Sequence, residues 1–342
     1  MNETVIFRAD ASPEMGTGHV MRCLALAQAW QEKGRKAIFV TAGSALEERL
    51  TLEGIRISPI LVRPGSTDDA IQTSNIGVAA GAGWLVVDGY HFSVDYQQSV
   101  KQSGLNLLFI DDNGEAGRYY ADIILNQNLH AHEGLYQKRE FYTRLLLGTQ
   151  YVLLRREFLN WRKWERKIPD VARNVLVTLG GSDPDNVTLE LIRGLHQLKR
   201  LNLKTKVVVG PANIYLEALL QEIRDCSCQT ELLTNVNNMA ELMAWADLAI
   251  SGGGSTCWEL AFMGLPNCIV VLAENQSQVA EVLHKRGTAI NLGWCRSNAA
   301  SELREVVEDL IHDRERRSQM SFEGRLMVTG TGAQLVTEAI LN

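Results

Sequence analysis

The sequence has no uninterrupted apolar run long enough to cross a bilayer. A membrane-spanning helix needs roughly 18 or more apolar residues in a row, and no segment of the 342 residues approaches that length. The N-terminus also lacks the basic and apolar regions of a signal peptide, because Met1–Glu3 lead directly into a short strand pattern. We therefore expect a cytoplasmic protein without membrane insertion.

Cysteine is sparse, and no two cysteines have the Cys-x-x-Cys spacing. The six are scattered along the chain, at Cys23, Cys226, Cys228, Cys257, Cys268 and Cys295. This pattern indicates neither a disulfide framework nor a zinc ribbon. We expect reduced thiols and no bound metal.

Positive charge is not in excess, since 34 Lys and Arg residues stand against 40 Asp and Glu residues and the net charge is −6. Such a balance repels nucleic acid and anionic lipid on average, so we expect neither as a partner. The sequence also contains no Walker A loop and no Gly-x-Ser-x-Gly nucleophile elbow. A small phosphorylated ligand at a local site remains compatible with this composition.

The chain does contain short apolar runs that alternate with amphipathic, helix-length segments. A chain of 342 residues exceeds the size at which one core usually stops growing, which favours two domains. Eight runs are typical of buried parallel strands, at residues 5–7, 37–40, 84–87, 107–110, 175–177, 206–209, 248–250 and 268–271. The pattern predicts two doubly wound, Rossmann-like α/β domains.

A change in composition marks the domain boundary at residues 155–171. This segment carries Trp161, Trp164 and six cations. We interpret it as a linker with packed tryptophans and solvated charges, in preference to a segment lying on a membrane surface. The predicted domains are residues 1–154 and 172–342, with the helical stretch 299–342 closing the second.

A glycine-rich turn follows the first strand. Gly16 and Gly18 precede His19, and a helical pattern follows. Ligands of open α/β sheets bind beyond the carboxyl ends of strands, where helix N-termini attract anions. A dinucleotide fingerprint is disfavoured because Met21 occupies the third glycine position. His19 is either a general base, which an imidazole can be near neutral pH, or a first-turn residue that bonds a neighbouring loop.

The second half has two further glycine turns. Gly180, Gly181 and Ser182 precede Asp183-Pro184-Asp185, a pair of carboxylates that either binds a divalent cation or, as we favour, caps a helix. The triple glycine 252–254 leads into Ser255 and Thr256 and predicts a phosphate-binding loop.

Other polar residues lie near these turns. Glu259, one helical turn after the triple glycine, is placed to bind ribose hydroxyls, and Asn275 with Gln276 either bind the ligand or belong to an ordinary polar loop. The acids Asp10, Asp88, Asp111 and Asp112 end strands and are candidates for positioning water or sugar amides. His130-x-His132-Glu133 is interpreted as solvated surface in preference to a metal site.

Taken together, these motifs resemble the UDP-sugar hydrolases of pseudaminic acid biosynthesis over nearly the whole chain. The matching series is Arg8-x-Asp10, Gly16-x-Gly18-His19-x-x-Arg22-Cys23-Leu24, Asp88-x-Tyr90, Asp111-Asp112, Leu154-Arg155-x-Glu157-Phe158, Gly180-Gly181-Ser182-Asp183 and Ser251-Gly252-Gly253-Gly254-Ser255-Thr256. These hydrolases are similar to glycosyltransferases of the GT-B fold, including the peptidoglycan N-acetylglucosaminyltransferase. The resemblance implies two Rossmann-like domains that face each other across a cleft.

The resemblance also implies a reaction. Water would release UDP from UDP-2,4-diacetamido-2,4,6-trideoxy-β-L-altropyranose, with inversion, with no metal or other cofactor, and with His19 as the base. Carried over by position, the diphosphate falls on 253–256, the ribose on Glu259, and the sugar or β-phosphate on Asn275 and Gln276. The full set expected to bind substrate is Asp10, Gly16, Gly18, Arg22, Asp88, Tyr90, Gly180, Gly181, Ser182, Gly253, Gly254, Ser255, Thr256, Glu259, Asn275 and Gln276.

One position departs from the pattern that the resemblance implies. Related sequences usually carry a histidine between the aspartate and the tyrosine, whereas here Gly89 stands there and His91 follows Tyr90. This puts the identity of the sugar in doubt more than the reaction. The alternatives are an inverting UDP-dependent glycosyltransferase of surface polysaccharide and a nucleotide-sugar sensor without turnover. We take a monomer as the expected state.

Overall fold

The computed structural model describes residues 3–12, 15–44, 46–181, 183–198, 201–210, 213–226, 228–294 and 299–342, and of residues 299–302 only the backbone. The chain divides into two compact units. The first consists of Met1–Ser12, His19–Arg156 and Gly330–Asn342, and the second of Pro13–Gly18 and Glu157–Thr329. Within the described residues, no helix has the length and apolar character of a bilayer span.

The first unit is built on a seven-stranded parallel sheet of order β3-β2-β1-β4-β5-β6-β7. Its strands are β1 (Thr4–Ala9), β2 (Lys36–Thr41), β3 (Arg56–Pro59), β4 (Trp84–Asp88), β5 (Asn106–Ile110), β6 (Ile123–Asn126) and β7 (Arg144–Leu147). Its helices are α1 (Gly18–Glu32), α2 (Glu47–Leu52), α3 (Thr67–Ala79) and α4 (Val94–Gln102), with α5 (Arg156–Leu159) at the boundary of the two units. Short 3₁₀ helices span Glu133–Tyr136 and Thr149–Tyr151.

Side chains alternate across this sheet and form an apolar layer on each face. Val5 and Phe7 of β1 belong to one buried cluster, and Ile6 belongs to the other. A sheet buried on both faces requires near-continuous apolar strands, which is why the first four predicted runs were readable from the sequence.

The second unit contains a six-stranded parallel sheet of order β10-β9-β8-β11-β12-β13. Its strands are β8 (Asn174–Thr178), β9 (Lys204–Val209), β10 (Gln229–Thr234), β11 (Leu248–Gly252), β12 (Asn267–Val271) and β13 (Ala289–Trp294). The helices are α6 (Val187–His196), α7 (Leu216–Arg224), α8 (Met239–Trp245), α9 (Thr256–Phe262), α10 (Glu274–Lys285), α11 (Ala299–His312) and α12 (Arg314–Met327). The predicted pair of doubly wound α/β domains is confirmed.

The last helix, α13 (Gly332–Leu341), corrects the predicted extent of the second domain. Residues 330–342 group with the first unit instead of closing the second. Val336 and Ile340 enter the buried cluster of the first sheet. Gly332 permits the approach, because a Cβ there would lie 2.2 Å from the carbonyl oxygen of Val152.

The predicted linker also differs from the structure, since residues from Glu157 onward group with the second unit. Trp161 and Trp164 pack edge to face, with ring centroids 5.2 Å apart. Arg166 is not a solvated charge, because its guanidinium donates to three backbone carbonyls of this unit. Burial lowers the pKa of Arg166 to about 9. Its three hydrogen bonds to backbone carbonyls anchor the segment to the second unit.

Candidate functional site

In the first sheet, the strand order reverses between β1 and β4. Ala9 at the end of β1 pairs with Asp88 at the end of β4, and Asp10 follows β1 directly. Ligands of doubly wound sheets bind beyond the carboxyl ends of strands at such a switch point. Helix α1, which follows β1, brings His19 and Arg22 to the same place, as their contacts with Asp88 show.

His19 and Asp88 form a buried pair. His19 Nδ1 lies 2.7 Å from Asp88 Oδ1, and the two side chains are 7% and 0% exposed. With the proton on Nδ1 donated to the carboxylate, Nε2 keeps its lone pair and is the nitrogen able to accept a proton. Arg22 Nη2 is farther from the same Nδ1, at 3.3 Å, so we assign the hydrogen bond to Asp88. The Tyr90 ring packs edge-on against the imidazole, with centroids 4.8 Å apart.

Arg22 joins this pair to a second carboxylate. Its Nε and Nη2 donate to Asp88 at 2.5 and 2.7 Å, and its Nη1 donates to Asp112 Oδ1 at 2.8 Å. Burial opposes the charge of Asp88, but Arg22 and then His19 outweigh it and leave the pKa of Asp88 below its ordinary value. Against the same effect of burial, Arg22 lowers the pKa of Asp112 to about 2. Both acids are therefore ionised at neutral pH.

The carboxylate of Asp112 has two further partners among the described residues. Asn128 Nδ2 donates to its Oδ1 at 2.7 Å, and the Tyr90 hydroxyl donates to its Oδ2 at 3.2 Å. The neighbouring Asp111 serves a turn instead, because its Oδ1 accepts from the backbone N–H groups of Asn113 and Gly114. The two adjacent acids thus have different roles, which the sequence did not separate.

Asp10 lies in a second charged cluster of the first unit. Its Oδ1 accepts from the Ala42 N–H at 2.8 Å and is 2.6 Å from Arg8 Nη1, while His91 Nε2 lies 3.4 Å from its Oδ2. Burial would raise the pKa of Asp10, but His91 and Arg8 hold it well below its usual range. The Arg8 guanidinium is fully buried and also pairs with Asp69, with Nη2 to Oδ2 at 2.8 Å.

The structure gives a physical reason for the unusual order of Gly89 and His91. A Cβ at position 89 would lie 2.9 Å from the His91 ring and 2.9 Å from the Phe92 ring. The imidazole of His91 therefore packs against the position where the resemblance led us to expect a histidine. A glycine is needed there as long as His91 faces Asp10.

In the second unit the strand order reverses between β8 and β11, where Thr178 pairs with Ser251. The glycine turns that follow these two strands are therefore neighbours at one edge of the sheet. Gly180 has a φ of +94°, which favours glycine, and a Cβ at Gly210 would lie 2.3 Å from the carbonyl oxygen of Gly181. Ser182, also predicted to bind substrate, lies outside the described residues.

Asp183 is a helix-capping residue, as favoured from the sequence. Its Oδ1 and Oδ2 accept from the backbone N–H groups of Val187 and Thr188, at 2.8 and 2.7 Å. Both carboxylate oxygens thus serve the first turn of α6.

The loop after β11 is held in place by Gln276. Its Oε1 accepts from the N–H of Gly253 at 2.9 Å and from the N–H of Leu272 at 3.1 Å. A Cβ at Gly253 would lie 2.8 Å from the Gln276 Cβ, whereas one at Gly254 would meet no atom within 4 Å. The predicted ligand amide Gln276 therefore shapes the phosphate-loop candidate from behind, and its contact with a ligand stays a prediction.

The remaining predicted residues of this loop lie where α9 begins. Ser255 and Thr256 are half-buried, and Glu259 lies half-buried one turn along α9. Asn275 is exposed in the first turn of α10. Gly16, with φ +72°, and Gly18 belong to the segment Pro13–Gly18 that groups with the second unit.

Sequence reasoning did not find the full set of contacts. It named His19 and Asp88 without pairing them, and it did not name Asn128 or His91 as site residues. Asn128 follows the short strand β6, whose pattern was not recognised, and His91 lies 81 positions from Asp10 in a loop. Neither separation follows a helix or strand period, so no sequence signal marked these pairs.

Comparison with known proteins identifies the second unit. Residues 174–330 match the glycosyltransferase family 28 C-terminal domain. The UDP-2,4-diacetamido-2,4,6-trideoxy-beta-L-altropyranose hydrolase of Campylobacter jejuni is 26% identical over 83% of this chain and 97% of its own length. The predicted resemblance is confirmed.

Two other relatives are similar to this chain over most of its length. The spore coat polysaccharide biosynthesis protein SpsG of Bacillus subtilis is 26% identical over 96% of this chain and 95% of its own length. Protein MJ1062 of Methanocaldococcus jannaschii is 28% identical over 79% of this chain, and the matched region spans only 55% of that protein.

Solved structures confirm the fold. Acinetobacter baumannii MurG aligns over 99% of each chain with a TM-score of 0.67 and 17% identity. Anabaena Alr3699/HepE, solved in complex with UDP-glucose, aligns over 99% of each chain with a TM-score of 0.65 and 14% identity. Each unit is a Rossmann-like α/β domain with a parallel sheet, as in GT-B glycosyltransferases.

Proposed function

We propose that this protein is a nucleotide-sugar hydrolase that releases UDP from a UDP-linked 2,4-diacetamido-2,4,6-trideoxy sugar in nonulosonic (pseudaminic) acid biosynthesis. The observation that carries the proposal is the buried His19–Asp88 pair at the switch point of the first sheet, backed by Arg22. The activity for which the Campylobacter jejuni relative is named supports the choice of substrate. The match of residues 174–330 to the glycosyltransferase family 28 C-terminal domain supports binding of UDP by the second unit.

In the proposed mechanism, water attacks the anomeric carbon from the face opposite UDP. Nε2 of His19 accepts the proton of the water as the new C–O bond forms and the bond to UDP breaks. Asp88, held ionised by Arg22, stabilises the imidazolium that results. The sugar leaves with inverted configuration at the anomeric carbon.

The departing diphosphate carries the negative charge that develops during the reaction. The backbone N–H of Gly254 and the hydroxyls of Ser255 and Thr256 are the donors proposed to stabilise it. The N–H of Gly253 is donated to Gln276, so Gly253 is proposed to contribute by the close approach of its backbone to the diphosphate. This assignment needs no resident metal. Glu259 is proposed to bind the ribose hydroxyls, and Tyr90 the sugar.

Acceptor-free turnover tests this proposal. We expect the purified protein, given the UDP-sugar in buffer with no acceptor, to release UDP and a free sugar whose first-formed anomer is inverted. Coupled detection of UDP and NMR of the product measure the two results, and ¹⁸O-labelled water should place the label on the anomeric carbon. An enzyme that releases no UDP until a hydroxyl acceptor is added is not a hydrolase.

A second candidate function is an inverting glycosyltransferase of surface polysaccharide. The match of residues 174–330 to the glycosyltransferase family 28 C-terminal domain favours it. So does the name of the Bacillus subtilis relative, a spore coat polysaccharide biosynthesis protein. The same His19–Asp88 pair would then activate a sugar hydroxyl instead of water. Transfer predicts that ¹⁸O from water is absent from the product, so the labelling experiment separates the two reactions.

A further inference from the structure

Three metal-binding side chains meet in the second unit, away from the glycine loops. His196 is the last residue of α6, and Cys226 and Cys228 lie between α7 and β10. One imidazole nitrogen and the two sulfurs lie within 4.8 Å of one another. This cluster was not predicted, because the cysteines have Cys-x-Cys spacing and the histidine precedes them by 30 and 32 positions.

A carboxylate lies beside the imidazole of this cluster. Glu222 Oε1 lies 3.6 Å from His196 Nδ1, and its Oε2 accepts from Arg193 Nε at 3.0 Å. On its other side, the imidazole Nε2 lies 3.2 Å from the Thr230 hydroxyl of β10. The ring is thus placed by two neighbouring elements, as metal-binding histidines usually are.

The cysteines of this cluster differ from the other described cysteines. Cys226 and Cys228 are partly accessible, whereas Cys23, Cys257 and Cys268 are buried. Burial raises the pKa of the Cys257 and Cys268 thiols to about 12, which disfavours the thiolate that a metal requires. Of the described cysteines, the accessible pair is therefore the one suited to bind a metal.

Two sulfurs and one imidazole are ligand types that Zn²⁺ takes in structural sites, and a carboxylate is also a zinc ligand. Zinc binds thiolates at roughly 2.3 Å and imidazole at about 2.0–2.1 Å in a tetrahedral arrangement, which holds two thiolates about 3.8 Å apart. The Cys226 and Cys228 sulfurs lie 2.7 Å apart. A displacement of one sulfur by about 1 Å, which a side-chain rotation provides, would therefore fit the pair to a zinc ion.

The position of the cluster favours a structural role. Cys228 immediately precedes β10, so the cluster lies at the amino ends of the parallel strands. The glycine turns after β8 and β11 lie at the carboxyl ends of the strands, and the cluster is therefore at the opposite ends of the strands of the same sheet. A metal here would tie the end of α6 to the edge strand β10 without touching the glycine loops.

We propose that His196, Cys226 and Cys228 form a structural Zn²⁺ site, and that the Glu222 carboxylate moves from beside His196 to the fourth position. The site connects α6, the α7–β10 loop and the edge of the second sheet. It is independent of the reaction proposed above, since its residues are separate from the His19 cluster and from the glycine loops.

Zinc content of the full chain tests this proposal. Tag-free protein, dialysed with Zn²⁺ and then against metal-free buffer, should retain about one zinc per chain by mass spectrometry of the metal. The double variant Cys226→Ser/Cys228→Ser should retain none. His196→Asn should weaken zinc binding by at least about 100-fold, more than the loss of an outer partner would. His312→Asn is the matched control, because His312 also ends a helix of this unit and is exposed.

A second measurement does not depend on the folding of the variants. Co²⁺ added to metal-free wild-type protein should give the thiolate-to-cobalt absorption and the visible bands of a tetrahedral site. Zinc that is equally retained by His196→Asn and wild type, or Co²⁺ without thiolate absorption, would overturn the proposal. So would a Cys226–Cys228 disulfide that re-forms, with no zinc retained, when the reduced protein is dialysed with zinc and analysed by mass spectrometry.

Discussion

At the scale of single residues, the 2.7 Å contact between His19 Nδ1 and Asp88 Oδ1 decides which nitrogen can act as base. Asp88→Asn removes the charge and lets an amide N–H face Nδ1, which favours the tautomer with the proton on Nε2. We expect kcat for UDP release to fall by about 10²–10⁴, with a smaller change in KM. Stopped-time assays of UDP release measure both constants.

The control for this variant is Asp122→Asn. Asp122 also belongs to an ion pair of the first unit, with Lys101 Nζ 2.6 Å away, but it has no histidine partner. Asp88→Asn also removes one of two counter-charges of the buried Arg22, so a loss of stability of up to about 3–5 kcal/mol is expected. The rates are therefore compared per folded molecule. Equal kcat in wild type and Asp88→Asn would remove Asp88 from the mechanism.

Residue type and motif order predicted His19, but not the contacts of the charged residues around it. Arg22 and Asp10 were expected to bind substrate, and the structure shows them paired with Asp88 and with Arg8. Arg22 and Asp88 are 66 positions apart in the sequence. Such a pair is created by the order of strands in the sheet, which a single sequence does not state.

At the scale of elements, the loop between β11 and α9 offers a matched pair of substitutions. Gly253→Ala should destabilise the protein by about 1–3 kcal/mol, because the new Cβ would lie 2.8 Å from Gln276 and force a core-like overpacking. Gly254→Ala should change stability by less than about 0.5 kcal/mol, because its Cβ meets nothing within 4 Å. Chemical denaturation measures both.

One result would contradict this explanation of the two glycine substitutions. If Gly254→Ala costs as much stability as Gly253→Ala, the cost reflects the backbone of the loop and not the contact with Gln276. Gln276→Ala in the Gly253→Ala background should recover none of the loss, because alanine keeps the Cβ that the new side chain would meet at 2.8 Å and the hydrogen bonds of Gln276 to the loop are lost.

Most interior strands were predictable, whereas the short interior strand β6 and the edge elements were not. The eight predicted runs all became strands, whereas β10, Gln229–Thr234, has a mixed pattern because it lies at the edge of its sheet. Helix α13 was recognised as a helix but assigned to the wrong unit. Its apolar face is compatible with either core, and only the packing of Val336 and Ile340 decides between them.

At the scale of the whole molecule, the two units have separate apolar cores. A ligand stabilises the part of a protein that binds it by RT ln(1 + [L]/Kd), about 2.7 kcal/mol at 100 times Kd. If the glycine loops bind UDP, UDP should therefore slow hydrogen exchange of β8 and β11 amides by up to about 100-fold. The gain at β1 and β2 should be smaller. Exchange followed by mass spectrometry of peptides reports each unit separately.

His19→Asn separates binding from turnover in the same experiment. Because His19 is proposed to act on water, and the diphosphate donors belong to the second unit, the variant should keep the UDP-induced protection of β8 and β11 while losing UDP release. Protection that disappears with His19 would make this residue part of the nucleotide site. Protection that is absent from the wild type as well would remove UDP binding from the second unit, and with it the assignment of Gly253, Gly254, Ser255 and Thr256 to the diphosphate.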